Sequence, residues 1–320
     1  MSPSQTSLIS FVIPLKDEQD SLVELTQRIL DSVQTGCVGR QAQIVFVDDG
    51  STDKSWNIVE SLAQQHPNQV QGIRFRRNLG KALALEAGFR LARGDVIFTM
   101  DADLQDDPKE IPRFLAKLDE GFDLVSGWKQ TRHDPLSKTL PSKLFNGVTA
   151  KLTGVALHDF NCGFKCYRRD IIEKIRLYGE LHRYIPVLAA DLGYRVGEIA
   201  VEHHPRTHGS SKYGFERYVR GFIDLLTVLA TTRWLVKPGH LFGGIGLGLG
   251  LLGGFSLSYL FLLWLFGTEP IGNRPLLLFG ELCCMASLQM LSLGVIAELH
   301  VKNNPIDLDR YIAESTTPQP

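Results

Sequence analysis

The 320-residue sequence predicts an α/β domain built on a doubly wound, mostly parallel sheet, followed by an amphipathic interfacial helix and a two-helix transmembrane hairpin. Three observations support this prediction. In the first half of the chain, apolar strand-like runs alternate with amphipathic helical patterns. From residue 241 onward the chain carries only 3 of its 34 lysines and arginines and 6 of its 35 acidic residues. Two long apolar segments fill that last quarter.

The alternating pattern assigns the elements of the first domain in order. Strands are predicted at Leu8–Pro14, Gln43–Val47, Val70–Phe75, Asp95–Met100 and Leu124–Ser126. Helices are predicted at Leu22–Val33, Ser55–Gln65, Lys81–Leu91 and Pro108–Leu118. We expect Ser51 or Asp53 to cap the second helix. Acidic clusters follow the second and fourth predicted strands, and ligands of such sheets bind beyond the carboxyl ends of the strands.

Several function classes are excluded by what the chain lacks. No G-x-G-x-x-G follows the first strand and no G-x-x-x-x-G-K-[ST] occurs, so the phosphate cradles of dinucleotide-binding and P-loop proteins are missing. A net charge of -1 argues against a nucleic-acid-binding protein. The five cysteines have no framework spacing, which disfavours a disulfide scaffold and a structural zinc site.

Asp101, Asp103 and Gln105 follow the fourth predicted strand. Alternate residues of an extended chain share a face, so we expect these three side chains to converge on one point. Their hard oxygen ligands suit Mg²⁺ or Mn²⁺ that also binds substrate phosphates. A D-x-D pair is also common in solvated loops, so the neighbouring motifs must decide its meaning.

The last quarter of the chain predicts two membrane spans. Leu241–Thr268 contains 28 residues without a charge, and Pro275–Ala297 carries only Glu281. A bilayer core of ~30 Å needs about 20 apolar residues in a helix, so both segments are long enough. We predict spans at about 241–266 and 275–297, with Glu281 near the interface. Basic residues precede the first span, which places the N-terminal domain in the cytoplasm. The glycines of the spans are compatible with a homo-oligomer.

Four blocks of the chain resemble, in order, the inverting family-2 glycosyltransferases with the GT-A fold. They are IPLKDE at 13–18, VDDGSTD at 47–53, RNLGK at 77–81 and MDADLQD at 100–106. Downstream, GFKCYRRD at 163–170, preceded by Asp159, and PRTHGSSKY at 205–213 resemble the polyprenyl-phosphate branch, which includes dolichol-phosphate mannose synthase. The resemblance covers residues 10–213, and two C-terminal spans are typical of bacterial members of this branch.

The resemblance implies a donor site at the edge of the sheet. Residues at matching positions would bind the nucleotide sugar: Pro14, Glu18, Asp49, Lys81 and Asp101. Asp101, Asp103 and Gln105 would hold Mg²⁺ or Mn²⁺ and the donor diphosphate. Arg206 and Lys212 lie in a Gly-Ser-rich stretch that is suited to close over the diphosphate as a lid.

The acceptor side is less closely matched. Lys129, Lys138 and Ser142 stand where the family binds the acceptor phosphate, with lysines in place of two arginines, so charge is kept but the bidentate fork is lost. Asp159 is expected to orient acceptor or donor hydroxyls, with a role as base left open. The predicted organisation is a cytoplasmic GT-A domain over 1–213, an interfacial helix over 214–238, two spans over 239–300 and a cytoplasmic tail over 301–320.

The implied activity is transfer of a hexose from a nucleotide sugar to the phosphate of a membrane polyprenol, at the cytoplasmic face of a bacterial inner membrane. UDP-glucose and undecaprenyl phosphate are the preferred substrates, while UDP-N-acetylglucosamine, a 4-amino-arabinose donor and GDP-mannose stay open. A processive polysaccharide synthase is disfavoured for two reasons. Such synthases carry a Q-x-x-R-W motif that binds the acceptor sugar, whereas here the matching segment ends in Arg233-Trp234 and Ala230 stands in place of the glutamine. Two spans are also too few to form a channel. A catalytically inactive membrane scaffold is the alternative from another class.

Overall fold

The structure is a computed structural model that describes residues 7–130, 146–202, 224, 225, 227, 228, 238–267, 272 and 274–303. The chain divides into two units, Met1–Val228 and Leu229–Pro320. Lys138, Ser142, Arg206, Lys212, Ala230, Arg233 and Trp234 lie outside the described residues. Of the predicted interfacial helix, the structure describes four residues before Pro238, and these are helical with Leu225 and Val228 buried.

The first unit is built on a sheet with seven strands among the described residues. They are β1 (Ser7–Leu15), β2 (Arg40–Asp48), β3 (Val70–Arg74), β4 (Val96–Thr99), β5 (Leu124–Lys129), β6 (Lys165–Arg168) and β7 (Val196–Val201). Their order is β3-β2-β1-β4-β6-β5-β7. Strand β6 is antiparallel to both β4 and β5, and the other pairs are parallel. The predicted mostly parallel sheet is therefore confirmed.

Helices connect the strands and cover both faces of the sheet. They are α1 (Leu22–Gly36), α2 (Ser55–Gln65), α3 (Lys81–Leu91), α4 (Ile111–Asp119), α5 (Arg169–Lys174) and α6 (Ile185–Asp191), with 3₁₀ turns at Pro108–Glu110 and Leu181–Arg183 and further helical residues at 146–153. Phe11 of β1 stacks on Phe98 at 5.2 Å, and Phe114 of α4 packs edge-on against Phe98. On the other face α3 approaches β1 closely, because a Cβ at Gly88 would lie 2.3 Å from Val12 Cγ1.

The start of α2 differs in part from the prediction. The N-cap residue is Lys54, which makes no side-chain cap bond. Asp53 Oδ1 accepts the Ser55 N–H at 2.9 Å, so Asp53 satisfies one of the free donors at this helix end. Ser51 does not serve α2. Its hydroxyl instead accepts the N–H of Asp17, in the loop after β1, at 2.9 Å.

The second unit contains α7 (Pro238–Leu265) and α8 (Pro275–Asn303), two helices long and apolar enough to cross a membrane. They pack side by side and antiparallel. Gly239 N–H at the start of α7 donates to Glu298 Oε2 near the end of α8 at 3.1 Å, and the Ser287 hydroxyl donates to the Gly246 carbonyl at 2.6 Å. Large apolar side chains such as Phe255, 73% exposed, face outward, as expected for helices that meet lipid.

Gly253 of α7 lies at a close approach to the backbone of α8. A Cβ there would lie 2.8 Å from both Cys284 Sγ and the Gly280 carbonyl oxygen, whereas a Cβ at Gly254 would meet nothing within 4 Å. We expect Gly253→Leu to separate the helices and lower the free energy of unfolding by about 1–3 kcal/mol. Gly254→Leu is the matched control. Thermal unfolding in detergent checks the prediction, which fails if both variants melt together.

Candidate active site

The loops that follow β1 and β2 are hydrogen-bonded to each other. Thr52 N–H donates to Asp17 Oδ1 at 2.8 Å, and Glu18 N–H donates to Ser55 Oγ at 2.9 Å. These bonds hold Asp17 at a φ of 55°, a left-handed conformation that costs energy outside glycine. Pro14 lies one position before the end of β1, in register with Val47. The structure thus places Pro14 and Glu18 at the carboxyl edge of the sheet, as the sequence predicts.

Asp49 holds the loop that carries Lys81. It is buried, and its two carboxylate oxygens accept the N–H groups of Leu79 at 2.6 Å and Gly80 at 3.0 Å. The neighbouring Gly50 has a φ of 72°, and a Cβ there would lie 2.7 Å from the Arg77 carbonyl carbon. Only glycine fits this approach of two backbones. The predicted contact of Asp49 with a nucleoside remains a prediction.

Lys81 and Asp101, which the sequence places 20 residues apart, form an ion pair. Lys81 is the first residue of α3, and Asp101 lies two residues after the end of β4. Burial alone would raise the pKa of Asp101, but Lys81 and Lys129 together hold it well below its usual value. Asp101 is therefore an ionised carboxylate at neutral pH.

The segment from Asp101 to Gln105 is a turn, so the expectation of an extended chain is wrong. Strand β4 ends at Thr99, and Leu104 has a φ of 60°. The Gln105 N–H donates to Asp103 Oδ1 at 3.3 Å, a bond that closes the turn. Asp103 is 7% exposed. The two aspartates and Gln105 still occupy one short turn, but a turn rather than strand alternation brings them together.

The oxygen donors of this turn fit Mg²⁺ or Mn²⁺. Within the described ranges, no group of three or more His, Cys, Asp or Glu residues is arranged to hold a metal. A cation at Asp101 and Asp103 would accordingly need Gln105 and oxygens from a bound substrate to complete its coordination. It is usual for the protein to supply only some of the ligands where a metal also binds substrate phosphates.

Lys129, at the end of β5, pairs with Asp106 at 2.9 Å. The Asp106 side chain is fully buried. Burial alone would lower the pKa of Lys129, but Asp106, Cys162 and Asp101 raise it above its usual value. Lys129 thus places a permanent positive charge near Asp101, and part of that charge is already compensated. Its predicted role at the acceptor phosphate stays a prediction.

The loop that begins at Asp159 also approaches the carboxylate of Asp101. Asp159 is buried, and its Oδ1 accepts the Asn161 N–H at 3.0 Å. A Cβ at Gly163 would lie 2.6 Å and 2.9 Å from the two carboxylate oxygens of Asp101. Lys165, the first residue of β6, donates to the carbonyl oxygens of Phe160, at 3.3 Å, and Cys162. Lys81, Lys129 and Gly163 therefore all lie close to Asp101.

A small cavity of about 10 Å³, here called the basal cavity, lies beside Asp101. Its polar lining includes Lys81, Thr99, Asn161, Lys165, Tyr167, His182 and Arg183. Burial, together with Lys81, Arg183 and Lys165, holds the pKa of His182 well below its usual value, so the ring is neutral. Sequence reasoning missed Lys165 and His182. Lys165 stood inside the motif at 163–170, whereas His182 lies in a 3₁₀ turn without any spacing signal.

Comparisons with known proteins agree with this geometry. The model of glycosyl transferase family 2 matches residues 10–176. The chain is 39% identical to a dodecaprenyl-phosphate galacturonate synthase from Rhizobium johnstonii over 302 residues, which cover 93% of this chain and 88% of that protein. It is 36% identical to an undecaprenyl-phosphate 4-deoxy-4-formamido-L-arabinose transferase from Klebsiella pneumoniae over 315 residues, which cover 98% of this chain and 94% of that protein.

A solved structure resembles the fold. It is the glucosyl-3-phosphoglycerate synthase of Mycobacterium tuberculosis in complex with Mn²⁺, uridine diphosphate and phosphoglyceric acid, with a TM-score of 0.51 and 17% identity. The alignment covers 71% of this chain and 78% of that chain. At this identity the likeness concerns the fold alone, and it confirms the predicted GT-A architecture.

Proposed function

The chain belongs to glycosyl transferase family 2, and we propose that it transfers a sugar from a nucleotide sugar to the phosphate of a membrane polyprenol. The observation that carries this proposal is the extent of the match to relatives named for dodecaprenyl or undecaprenyl phosphate. It covers 93% and 98% of the chain, so it includes both the catalytic domain and the apolar helices. The helices would anchor the enzyme, with its first unit on the cytoplasmic face as the basic residues before α7 suggest.

The relatives favour a donor other than the glucose donor that the sequence first suggested. Their names specify galacturonate and 4-deoxy-4-formamido-L-arabinose, and the second of these is close to the 4-amino-arabinose alternative. We therefore rank a UDP-linked sugar with a charged or amide substituent ahead of UDP-glucose. UDP is retained as the nucleotide because the structural neighbour was crystallised with uridine diphosphate.

A divalent cation belongs to the proposal. Asp101, Asp103 and Gln105 would hold Mg²⁺ or Mn²⁺, which would supply positive charge to the departing diphosphate. The structural neighbour, crystallised with Mn²⁺ and uridine diphosphate, supports this choice of cation. Lys81 lies against Asp101 and would keep that carboxylate ionised and oriented for the donor.

The chemistry asks the protein mainly to bring two anions together. A phosphate monoester with a second pKa near 6 is mostly dianionic at neutral pH and needs no strong general base. One of its oxygens would attack the anomeric carbon as the bond to the nucleoside diphosphate breaks, which inverts that centre. Lys81 and Lys129, both close to Asp101, would offset the repulsion between the two substrates. Asp159 would orient hydroxyl groups.

A transfer assay on the full-length protein tests the proposal. Detergent-solubilised protein is incubated with Mg²⁺, undecaprenyl phosphate and each of several labelled nucleotide sugars in turn. We expect label in the lipid phase with one donor, loss of transfer on adding EDTA, and recovery with Mg²⁺ or Mn²⁺. Binding of a nucleotide sugar without lipid labelling from any donor would contradict the proposal and favour the membrane scaffold.

A further inference from the structure

The basal cavity contains a buried positive charge that the proposed reaction does not yet use. Lys165 is 3% exposed, and among the described residues its ammonium donates only to the carbonyl oxygens of Phe160 and Cys162. Within the part of the chain that the structure describes, it forms no ion pair with a carboxylate. Burial and the Lys81 charge lower its pKa, and Cys162, Asp159 and Asp101, which raise it, do not outweigh the loss of water. Such an arrangement is costly unless an anion arrives with a ligand.

The two other cationic side chains that line the cavity already have carboxylate partners. Lys81 is paired with Asp101, and Arg183 is paired with Glu180 at 3.1 Å. The Nδ1 atom of His182 is buried and has no hydrogen-bond partner among the described residues. The Glu180 Oε2 oxygen is 3.9 Å from this nitrogen. Lys165 and His182 thus offer one cation and one unused ring nitrogen to whatever enters.

The size and position of the cavity restrict what that ligand is. A volume of about 10 Å³ accepts one oxygen atom, the size of a single water. Lys81 and Gly163 both line the cavity and both lie against Asp101, the residue predicted to bind the donor. An oxygen that enters the cavity must therefore belong to a group held next to Asp101, which is where the transferred sugar would lie.

We propose that the basal cavity receives one carboxylate oxygen of the transferred sugar, so that the donor is a nucleotide-linked uronic acid selected by Lys165 and His182. This inference rests on the proposed function, because it assumes that Asp101 marks the donor site. A carboxylate would pair with the buried ammonium, whereas the hydroxymethyl group of a neutral hexose would leave the charge unpaired. A formamido group would likewise bring no negative charge.

Donor selectivity is the test. UDP-galacturonate and UDP-galactose differ only at C6, which is a carboxylate in the first and a hydroxymethyl group in the second. We expect the wild-type protein to prefer the acidic donor in kcat/KM by about 30-fold or more. Lys165→Met should abolish this preference, Lys165→Arg should keep most of it, and His182→Phe should reduce it about tenfold. Lys109→Met, at an exposed lysine outside the site, is the control and should match the wild type.

The test uses the ratio of kcat/KM for the two donors, so it stays valid even where a variant folds poorly. Both donors are assayed on one preparation, and the fraction of active protein cancels from the ratio. Equal use of the two donors by the wild type, or an unchanged ratio in Lys165→Met, overturns the inference while the proposed function stands. The inference is also overturned if Lys165→Met raises the KM for undecaprenyl phosphate equally with both donors. The anion that pairs with Lys165 would then be the acceptor phosphate and not the sugar carboxylate.

Binding without an acceptor separates the two proposals. Isothermal titration measures the affinity for UDP-galacturonate and UDP-galactose in the presence of Mg²⁺. Preferential binding of the acidic donor that is lost in Lys165→Met, with no transfer to lipid, would support the inference and contradict the proposed function. Equal affinity for the two donors would contradict the inference whatever the transfer assay shows.

Discussion

Replacing Asp103 by asparagine is expected to lower kcat for sugar transfer by on the order of 1,000-fold without unfolding the protein. Asparagine has the same shape and retains the side-chain oxygen that accepts the Gln105 N–H, so the turn should persist. It lacks the negative charge that a carboxylate gives to a divalent cation. The departing diphosphate would then lose much of its compensation. Steady-state kinetics at saturating Mg²⁺ measure the effect.

Asp119→Asn is the matched control, because Asp119 is an exposed aspartate at the end of α4, outside the site. Its activity and thermal unfolding should equal those of the wild type. If Asp103→Asn transferred sugar at the wild-type rate, the metal site would be wrongly placed. If Asp103→Asn abolished sugar transfer but still supported the cellular role of the protein, the scaffold alternative would be the better account.

The alternating strands and helices of the first unit could be predicted closely, because the pattern of apolar residues in each segment indicates which side chains are buried. Helices α2 and α3 have the predicted bounds, Ser55–Gln65 and Lys81–Leu91. Strands β1 and β2 extend only a few residues beyond the predicted runs, since both are apolar on two faces. The two membrane-length helices were predictable for the same reason: uninterrupted apolar length needs no tertiary information.

Strand β6 shows why the rest of the sheet was not predicted as strand. Its four residues include Lys165 and Arg168, so the sequence has no apolar run here that would predict a strand. The strand is stabilised by pairing with β4 and β5 on both sides, which sequence patterns do not report. The shortening of the fourth strand has a related cause. Met100 is buried like a strand residue and its N–H still donates to the Val12 carbonyl oxygen of β1 at 3.4 Å, but the regular strand pairing ends at Thr99.

The structure brings together part of the predicted site, and its function there stays a prediction. The motifs identified Asp49, Lys81 and Asp101, and the structure joins Lys81 to Asp101 directly. The Asp101 turn was misread because the left-handed residue, Leu104, is not one that usually signals such a conformation. Lys165 lies inside the motif at 163–170, but the motif does not show that this side chain is buried with no carboxylate at ion-pair distance among the described residues. That is a property of the folded chain.

Gly163→Ala is expected to lower sugar transfer by about 100-fold while the fold survives. The new methyl group would lie 2.6 Å and 2.9 Å from the Asp101 oxygens, and a side-chain carboxylate can move away where a backbone could not. Asp101 would then turn from Lys81 and from the metal position. Gly147→Ala, with nothing within 4 Å of the added atom, is the control. Kinetics together with thermal unfolding distinguish the outcomes: wild-type turnover in Gly163→Ala would mean that Asp101 works from another position, whereas a collapse of the melting temperature would mean that the glycine serves the fold.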